Sequence, residues 1–125
     1  MLHKYTVRTL FTILFLLSFL LQVQLSPAAE KVSVQDILSN PDKYDGQEVS
    51  VQGKASKIKP RTSKKGNDYA TFTLTDESGK GMNIFTFGHP RIMDGQKVTV
   101  TGIYQKVKRV GKYTFYNEVE AKTIQ

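Results

Sequence analysis

From Glu48 onward the chain alternates apolar and polar residues with a period of two. Val49, Val51, Gly53 and Ala55 fall on one face of the first such segment, and polar side chains occupy the other face. Alternation of this kind is typical of a strand with one face in a core and one in water. Glycine and alanine leave little side-chain volume on the inner face, so we expect this strand to bend where a neighbour packs closely.

Four more segments follow the same rule. A turn at Asp76–Gly79 joins the second strand to the third, and a basic turn at Arg109–Lys112 joins the fourth to the fifth. The strands predicted after the first are Asp68–Asp76, Gly81–Phe87, Gln96–Lys108 and Tyr113–Ile124.

Two nine-residue runs repeat one pattern. Residues 45–53 read DGQEVSVQG and residues 94–102 read DGQKVTVTG. The Asp-Gly pairs suit turns that require positive φ, and valine alternation follows each of them. We interpret the match as two strands that meet the same structural demand, not as a tandem repeat.

The remaining segments are predicted from caps and turn residues. Ser33–Leu38 predicts a short helix, with Ser33 as N-cap and Asp36 as the acidic member of a capping box. Asp42–Gln47 predicts a turn that leads into the first strand. Lys57–Asn67 is basic and rich in turn formers, which predicts an exposed loop.

Residues 1–28 have the layout of a cleavable secretory signal. A basic start precedes an apolar run, Leu10–Leu21, and small residues follow it. Ser26 and Ala28 suit a peptidase site, so we expect cleavage after Ala28 or one residue later. The alternative is a retained anchor, but a spanning helix needs ~20 mainly apolar residues. We expect a periplasmic or secreted protein with one domain over residues 29–125.

Charge and cysteine content narrow the class of site. Lys and Arg total 18, and removing Lys4 and Arg8 with the leader leaves 16 basic against 11 acidic residues, a net charge of +5. A basic domain favours polyanionic partners such as nucleic acid, anionic lipid or acidic polysaccharide. The chain has no cysteine, which excludes disulfides, thiolate metal sites and cysteine nucleophiles.

The strand order, the long basic loop and the glycine-interrupted alternation resemble the OB-fold. DGQEVSVQGKASKIKPRTSKKGNDYATFTLTDESG resembles the opening of OB-fold nucleic-acid-binding domains of the tRNA-anticodon and helicase type, and DGQKVTVTGIYQKVKRVGKYTFYNEVEA resembles their closing hairpin. The resemblance covers about residues 48–124. It implies an all-β fold: a five-stranded OB-fold Greek-key barrel preceded by a short N-terminal helix and a signal peptide. The helix that often plugs such barrels is reduced to the turn around Pro90, so we expect the helix at Ser33–Ser39 to cap the barrel.

OB-folds bind ligands on the face of the second and third strands, between the first-to-second and fourth-to-fifth loops. The resemblance therefore implies two basic clusters around an aromatic platform, which suits single-stranded nucleic acid because cations follow phosphates while rings stack on bases. The alternative is that the rings fill the barrel, since a one-residue shift in strand phase exchanges the faces. The expected binding residues are Lys57, Lys59, Arg61, Lys64, Lys65, Tyr69, Thr71, Phe85, Phe87, Lys106, Lys108, Arg109 and Lys112.

Other ionisable residues do not form a catalytic pattern. Asp76 and Glu77 suit a hairpin turn, and Glu118 and Glu120 alternate on the last strand, where we expect them to face solvent. His89 is the only histidine after the leader, so it is interpreted as structural or as a donor at the rim of the site.

We therefore expect a non-catalytic exported module, a monomer without metal or cofactor, that binds single-stranded nucleic acid or another polyanion. The alternative is a periplasmic OB-fold stress or carrier protein that binds a protein, a lipid or a small ligand. Haem delivery is disfavoured because no histidine follows His89. Membrane contact is expected only through an uncleaved leader.

Overall fold

The computed structural model describes residues 28–125. The predicted leader lies outside this part of the chain, apart from its last residue. No helix within residues 28–125 is long and apolar enough to cross a membrane. The elements in chain order are β1 (Glu30–Lys31), α1 (Val34–Ser39), α2 (Pro41–Tyr44), β2 (Glu48–Thr62), β3 (Asp68–Thr75), β4 (Gly81–Phe87), β5 (Lys97–Val110) and β6 (Tyr113–Ile124).

The five long strands close into a barrel. β2 pairs antiparallel with β3, β3 antiparallel with β4, β4 parallel with β6, and β6 antiparallel with β5. A further antiparallel pairing joins β5 to β2 and closes the circle. The short β1 adds parallel to the beginning of β2. The last four predicted strands are confirmed to within two residues at each end.

β2 turns a corner of the barrel. Glu48–Lys54 pairs with β5, whereas Lys54–Thr62 pairs with β3 apart from a register shift. At this change of partner the end of β3 lies against β2, and a Cβ added to Gly53 would lie 2.6 Å from the carbonyl oxygen of Thr75. Only glycine allows the two backbones to approach so closely, and the close approach predicted at Gly53 is confirmed.

The two matching runs of the sequence lie side by side in the barrel, as parts of β2 and β5. The register pairs Val49 with Gly102 and Gly53 with Val98, so the glycine of each run is opposite a valine of the other. Gly102 also marks a close approach, because a Cβ there would overlap the carbonyl oxygen of Glu120. The sequence match therefore reflects a local two-fold relation between antiparallel strands.

The aspartate at the start of each run is bonded to the strand that carries the other run. Asp45 Oδ1 accepts a hydrogen bond from the backbone N–H of Lys106 at 2.8 Å, and Asp94 Oδ1 accepts one from the backbone N–H of Lys57 at 3.1 Å. Bonds from an N–H to a carboxylate are stronger than those between neutral groups. Lys57 and Lys106 lie just beyond the segment where β2 and β5 pair. Each aspartate therefore holds the place where one of these strands continues beyond their shared pairing.

The inward residues of the barrel and the two helices share one core. α1 contributes Val34 and Ile37, and α2 contributes Tyr44. Ser33 Oγ accepts a hydrogen bond from the N–H of Asp36, and the Asp36 carboxylate accepts one from the N–H of Ser33. The predicted helix, its capping box and its packing against the barrel are confirmed.

Two local predictions are wrong, and β1 was not predicted. The loop predicted at Lys57–Asn67 is only a short turn after Thr62, because β2 continues opposite β3 and its backbone groups find partners there. Residues 41–44 form a helical turn instead of the predicted non-helical turn, with Pro41 at its first position, where the missing N–H of proline costs nothing.

Asp76 ties α1 to the turn between β3 and β4. One carboxylate oxygen accepts a hydrogen bond from the N–H of Gln35 at 3.1 Å, and the other accepts bonds from the N–H and the hydroxyl of Ser78. Partial burial opposes ionisation, but the hydrogen bonds from Ser78, Gln35 and Lys80 outweigh it and hold the pKa of Asp76 below 3.8.

Alanine at Gly53 should lower the free energy of unfolding by about 1–3 kcal/mol, because the new methyl group is forced against the backbone of Thr75. Urea unfolding measures the change. Gly81→Ala is the matched control, since the added Cβ there meets the side chain of Thr73 at 3.0 Å, which can rotate away. Equal losses in the two variants would contradict the close-approach explanation.

Asp76→Asn should make the stability of the domain less sensitive to acid. A carboxyl group whose pKa is lower in the folded state stabilises the fold above its unfolded-state pKa, and this contribution is lost as pH falls through the folded-state value. The unfolding free energy of the wild type should therefore exceed that of the variant above about pH 4 and converge towards it in stronger acid. Urea unfolding over a pH series tests this. A difference independent of pH would show that the Asp76 charge contributes nothing.

Candidate functional site

Three aromatic side chains form a row on the outer face of β3 and β4. The rings of Tyr69 and Phe85 stack with centroids 5.6 Å apart and planes 24° apart, and Phe87 meets Phe85 edge-on at 5.0 Å. Phe87 is 68% exposed. Ala70, on the same strand as Tyr69, is buried, so the predicted strand phase is confirmed and the rings face outward.

β2 extends one side of this face as a basic arm, residues 57–62. Lys59 is paired with Thr71, and Arg61 with Tyr69, which places all four side chains on the outer face of the sheet. The phase depends on a β-bulge between Ser56 and Lys59, where Lys57 adopts a φ of +53°. The extra residue turns the lysine and arginine outward.

The hairpin of β5 and β6 extends the other side as a second arm, residues 106–117. Lys108 reaches from it onto the aromatic row, with Nζ 4.2 Å from the centroid of the Phe85 ring. The same Nζ lies 2.9 Å from Oε1 of Glu118, and the Lys108 and Glu118 side chains are only 18% and 8% exposed. The prediction that Glu118 faces solvent is wrong, because the ion pair with Lys108 makes burial of the carboxylate possible. Glu120 is half-buried.

A cleft of about 350 Å³ lies between the two arms. Its floor is the sheet, and the strand order places the β2 arm on one side and β6 on the other. Besides the core residues Phe72 and Ile84, the lining residues are, in sheet order, Lys57 and Lys59 of β2, Thr71 and Thr73 of β3, Asn83 of β4, and Phe115 and Glu118 of β6.

The remaining predicted cations are less closely associated with the cleft. Lys106 turns towards α2, where it pairs with Asp42 at 2.8 Å, and that hydrogen bond and charge raise the pKa of the Lys106 ammonium. Arg109 alternates with Lys108 along β5, so it lies on the opposite face of the hairpin. Lys112 stands 5.5 Å from the centroid of the Tyr113 ring near the hairpin tip.

The last two predicted cations, Lys64 and Lys65, are exposed in the turn that ends the β2 arm. The turn is closed by a hydrogen bond from the N–H of Gly66 to the carbonyl of Ser63. These lysines extend the basic arm away from the barrel, outside the cleft.

The structure adds cleft residues that the sequence analysis missed. Thr73 and Asn83 could have been found, because Thr73 shares the outward phase of Thr71, and Asn83 shares that of Phe85. Phe115 could have been found from its place in the closing hairpin. The position of Glu118 depends on the pairing of two strands distant in sequence, and no local pattern indicates it.

His89 holds the segment after β4 against the β2 arm. Its Nε2 is 2.9 Å from the carbonyl oxygen of Arg61 and 3.8 Å from Asp68 Oδ1. Within residues 28–125 no three His, Cys, Asp or Glu side chains group closely enough to hold a metal ion. The contact with the Arg61 carbonyl gives His89 a structural role beside the aromatic row.

A larger cleft, of about 790 Å³, lies elsewhere, between the start of α1 and the β3–β4 turn. Its lining contains no aromatic residue and carries both signs of charge, with Lys54 and Lys97 near Asp76 and Glu77. A site that stacks flat groups beside phosphates needs rings and an excess of cations, which the face between the arms provides instead.

No protein-family model matches the sequence, and no curated protein matches it either. A crystal structure of yeast Stn1 and Ten1 contains a chain that superposes with a TM-score of 0.60 at 13% identity, over 78% of this chain and 62% of that one. An aspartyl-tRNA synthetase structure from Leishmania major Friedlin gives a TM-score of 0.55 at 20% identity, over 82% of this chain and 22% of that one. The domain is an OB-fold. It spans less than two thirds of either protein, and at these identities the likeness concerns the fold alone.

Lys57→Gly should raise the free energy of unfolding by up to about 1 kcal/mol, because glycine adopts the positive φ of the bulge without steric cost. Lys59→Gly, two residues further along, should lower it, since a glycine in regular strand backbone only adds flexibility. Urea unfolding of both variants measures the difference. A loss of stability in Lys57→Gly would show that the bulge does not hold this residue in a left-handed conformation.

Proposed function

We propose that this protein is an exported, non-catalytic OB-fold module that binds single-stranded nucleic acid. The observation that supports the proposal is the face between the two arms. An outward-facing aromatic row lies on the sheet there, with Phe87 as its exposed member and cations on both sides of it. A single nucleic-acid strand that lies across a sheet needs both features, because its bases stack on rings and its phosphates pair with cations.

The β2 arm is the side best suited to the phosphates. Lys57, Lys59 and Arg61 are exposed, and within residues 28–125 none of them pairs with a carboxylate. On the other arm Lys106 and Lys108 are each held by a carboxylate. The sugar–phosphate backbone of the nucleic acid therefore runs along the β2 arm, and its bases point towards β4 and β6.

The rings favour single strands over duplexes. Phe87 presents most of its surface to water, whereas Lys108 covers one face of Phe85. Phe87 is consequently the first ring to which a base has access. A base in a duplex is already stacked on its neighbours, while a base in a single strand can stack on a side chain.

Further support comes from the sequence and from the fold shared with other proteins. The aspartyl-tRNA synthetase that shares the fold acts, by its name, on a nucleic acid. Export rests on the leader pattern in residues 1–28, and the non-catalytic role rests on a sequence without a nucleophile next to a general base. A monomer suffices because both arms and the aromatic row belong to one chain.

Fluorescence anisotropy of the purified protein with single-stranded DNA, RNA, duplex DNA and heparin over a salt series tests the proposal. Single strands should bind more tightly than the duplex and than heparin, with affinity that falls steeply as salt rises. Phe87→Ala should weaken single-strand binding by about tenfold, the loss of one stacked base. Tyr116→Ala is the matched control, because this ring is 63% exposed but lies on the face of the hairpin opposite Lys108.

A second pair of variants separates the cations in the same experiment. Lys59→Gln should reduce the slope of affinity against salt by about one ion, whereas Lys106→Gln should leave it almost unchanged because Asp42 already neutralises that ammonium. Equal heparin binding with no effect of Phe87→Ala would overturn the proposal in favour of nonspecific charge. No binding to any of the four ligands would overturn it in favour of a protein, lipid or small-molecule partner.

A further inference from the structure

The cleft contains a buried carboxylate. A groove that binds any polyanion gains nothing from such a group, because its negative charge repels the ligand. Glu118 is one of two polar residues buried in the described part of the chain, and it lines the cleft. Its Oε1 accepts the hydrogen bond from Lys108 Nζ. Oε2 makes no hydrogen bond within residues 28–125 and is not among the fully buried, unpaired polar atoms there, so it keeps some accessible surface in a residue that lines the cleft.

Asn83 lies directly beside this carboxylate. The parallel pairing of β4 and β6 sets Asn83 opposite Glu118, and both line the cleft. Asn83 is exposed, and within the described residues its side-chain amide makes no hydrogen bond. The amide offers two donor hydrogens and an acceptor oxygen next to an oxygen that only accepts.

The charge of Glu118 decides which part of a nucleotide enters the cleft. A phosphate at this point would lie next to the Glu118 carboxylate, and like charges at short distance repel each other. The N–H groups of a base have the opposite polarity and suit the open oxygen. Phosphates therefore remain on the β2 arm, and a base edge points at β4 and β6.

We propose that Asn83 and Glu118 read the Watson–Crick edge of one base in this cleft and select guanine. Guanine alone presents two adjacent donors, N1–H and the N2 amino group, beside an acceptor, O6. One donor fits Oε2, the other fits the lone pair of Oε1 that Lys108 leaves free, and O6 accepts from the Asn83 amide. Cytosine, adenine and thymine each turn at least one acceptor towards Glu118, which costs affinity. This inference rests on the proposed function and names the base specificity of the same site.

A series of short thymidine oligonucleotides with one central substitution tests the specificity. Anisotropy should show a single central guanine binding about tenfold more tightly than thymine, adenine or cytosine at the same position. Hypoxanthine, which lacks only the N2 amino group, should lose several-fold relative to guanine because one donor to Glu118 is gone.

Glu118→Gln tests the carboxylate. Glutamine keeps the shape and can still accept from Lys108, but it loses the charge that attracts the two donors. The guanine preference should fall about tenfold, while affinity for the all-thymine strand should stay equal or rise because a negative charge is removed. Glu120→Gln is the matched control, since it makes the same charge change two residues along β6, outside the cleft lining.

Asn83→Ala provides an independent test if Glu118→Gln fails to fold, which circular dichroism would show. Asn83 is exposed, so alanine should be tolerated there. The preference of this variant for guanine over thymine should fall several-fold, because guanine O6 loses its donor. Equal affinity of the wild type for all central bases would overturn the guanine assignment while leaving strand binding intact. A uniform change in Glu118→Gln that matches Glu120→Gln would also overturn it. Loss of binding to every strand would instead overturn the proposed function.

Discussion

The antiparallel pairing of β2 with β5 is the contact on which the rest of the molecule depends. It closes the barrel, and it brings together the two runs that the sequence repeats. The hydrogen bonds from Lys106 to Asp45 and from Lys57 to Asp94 extend it at both ends. Beyond this pairing β2 and β5 continue as the two arms. The geometry of each arm is therefore set where its backbone is bonded to Asp94 or Asp45.

The electrostatic layout of the face between the arms follows from this arrangement. Exposed cations on the β2 arm are available to a ligand, whereas Lys108 on the other arm is engaged by Glu118 and covers Phe85. A buried ion pair contributes little net stability but fixes the position of both groups, because either charge alone would be costly in a site with little water. The two sides of the cleft are therefore chemically different, since one carries exposed cations and the other a paired carboxylate.

Much of this fold could be predicted from the sequence because strand phase is a local property. The alternation that places Phe72 inside and Phe85 outside is visible in a few residues, and Ser33 with Asp36 marks the helix start in the same way. The β2 arm escaped prediction because its lysines and Pro60 are typical of loops, while the pairing with β3 that orders them is a tertiary contact. Glu118 escaped for a similar reason, since its partner Lys108 is brought near only by the hairpin and its neighbour Asn83 only by a parallel pairing.

The bulge at Lys57 also separates two parts of β2 in which amino-acid substitutions have different consequences. Before it, alternate residues of β2 pack into the core, where a change of one methylene is felt by the whole domain. After it, Ile58 still packs against the core, but Lys59 and Arg61 are exposed, and Asp94 holds the start of this arm through the N–H of Lys57. Substitutions of the outward-facing residues of this arm can therefore accumulate without unfolding the barrel, so the chemistry of this surface can change one residue at a time.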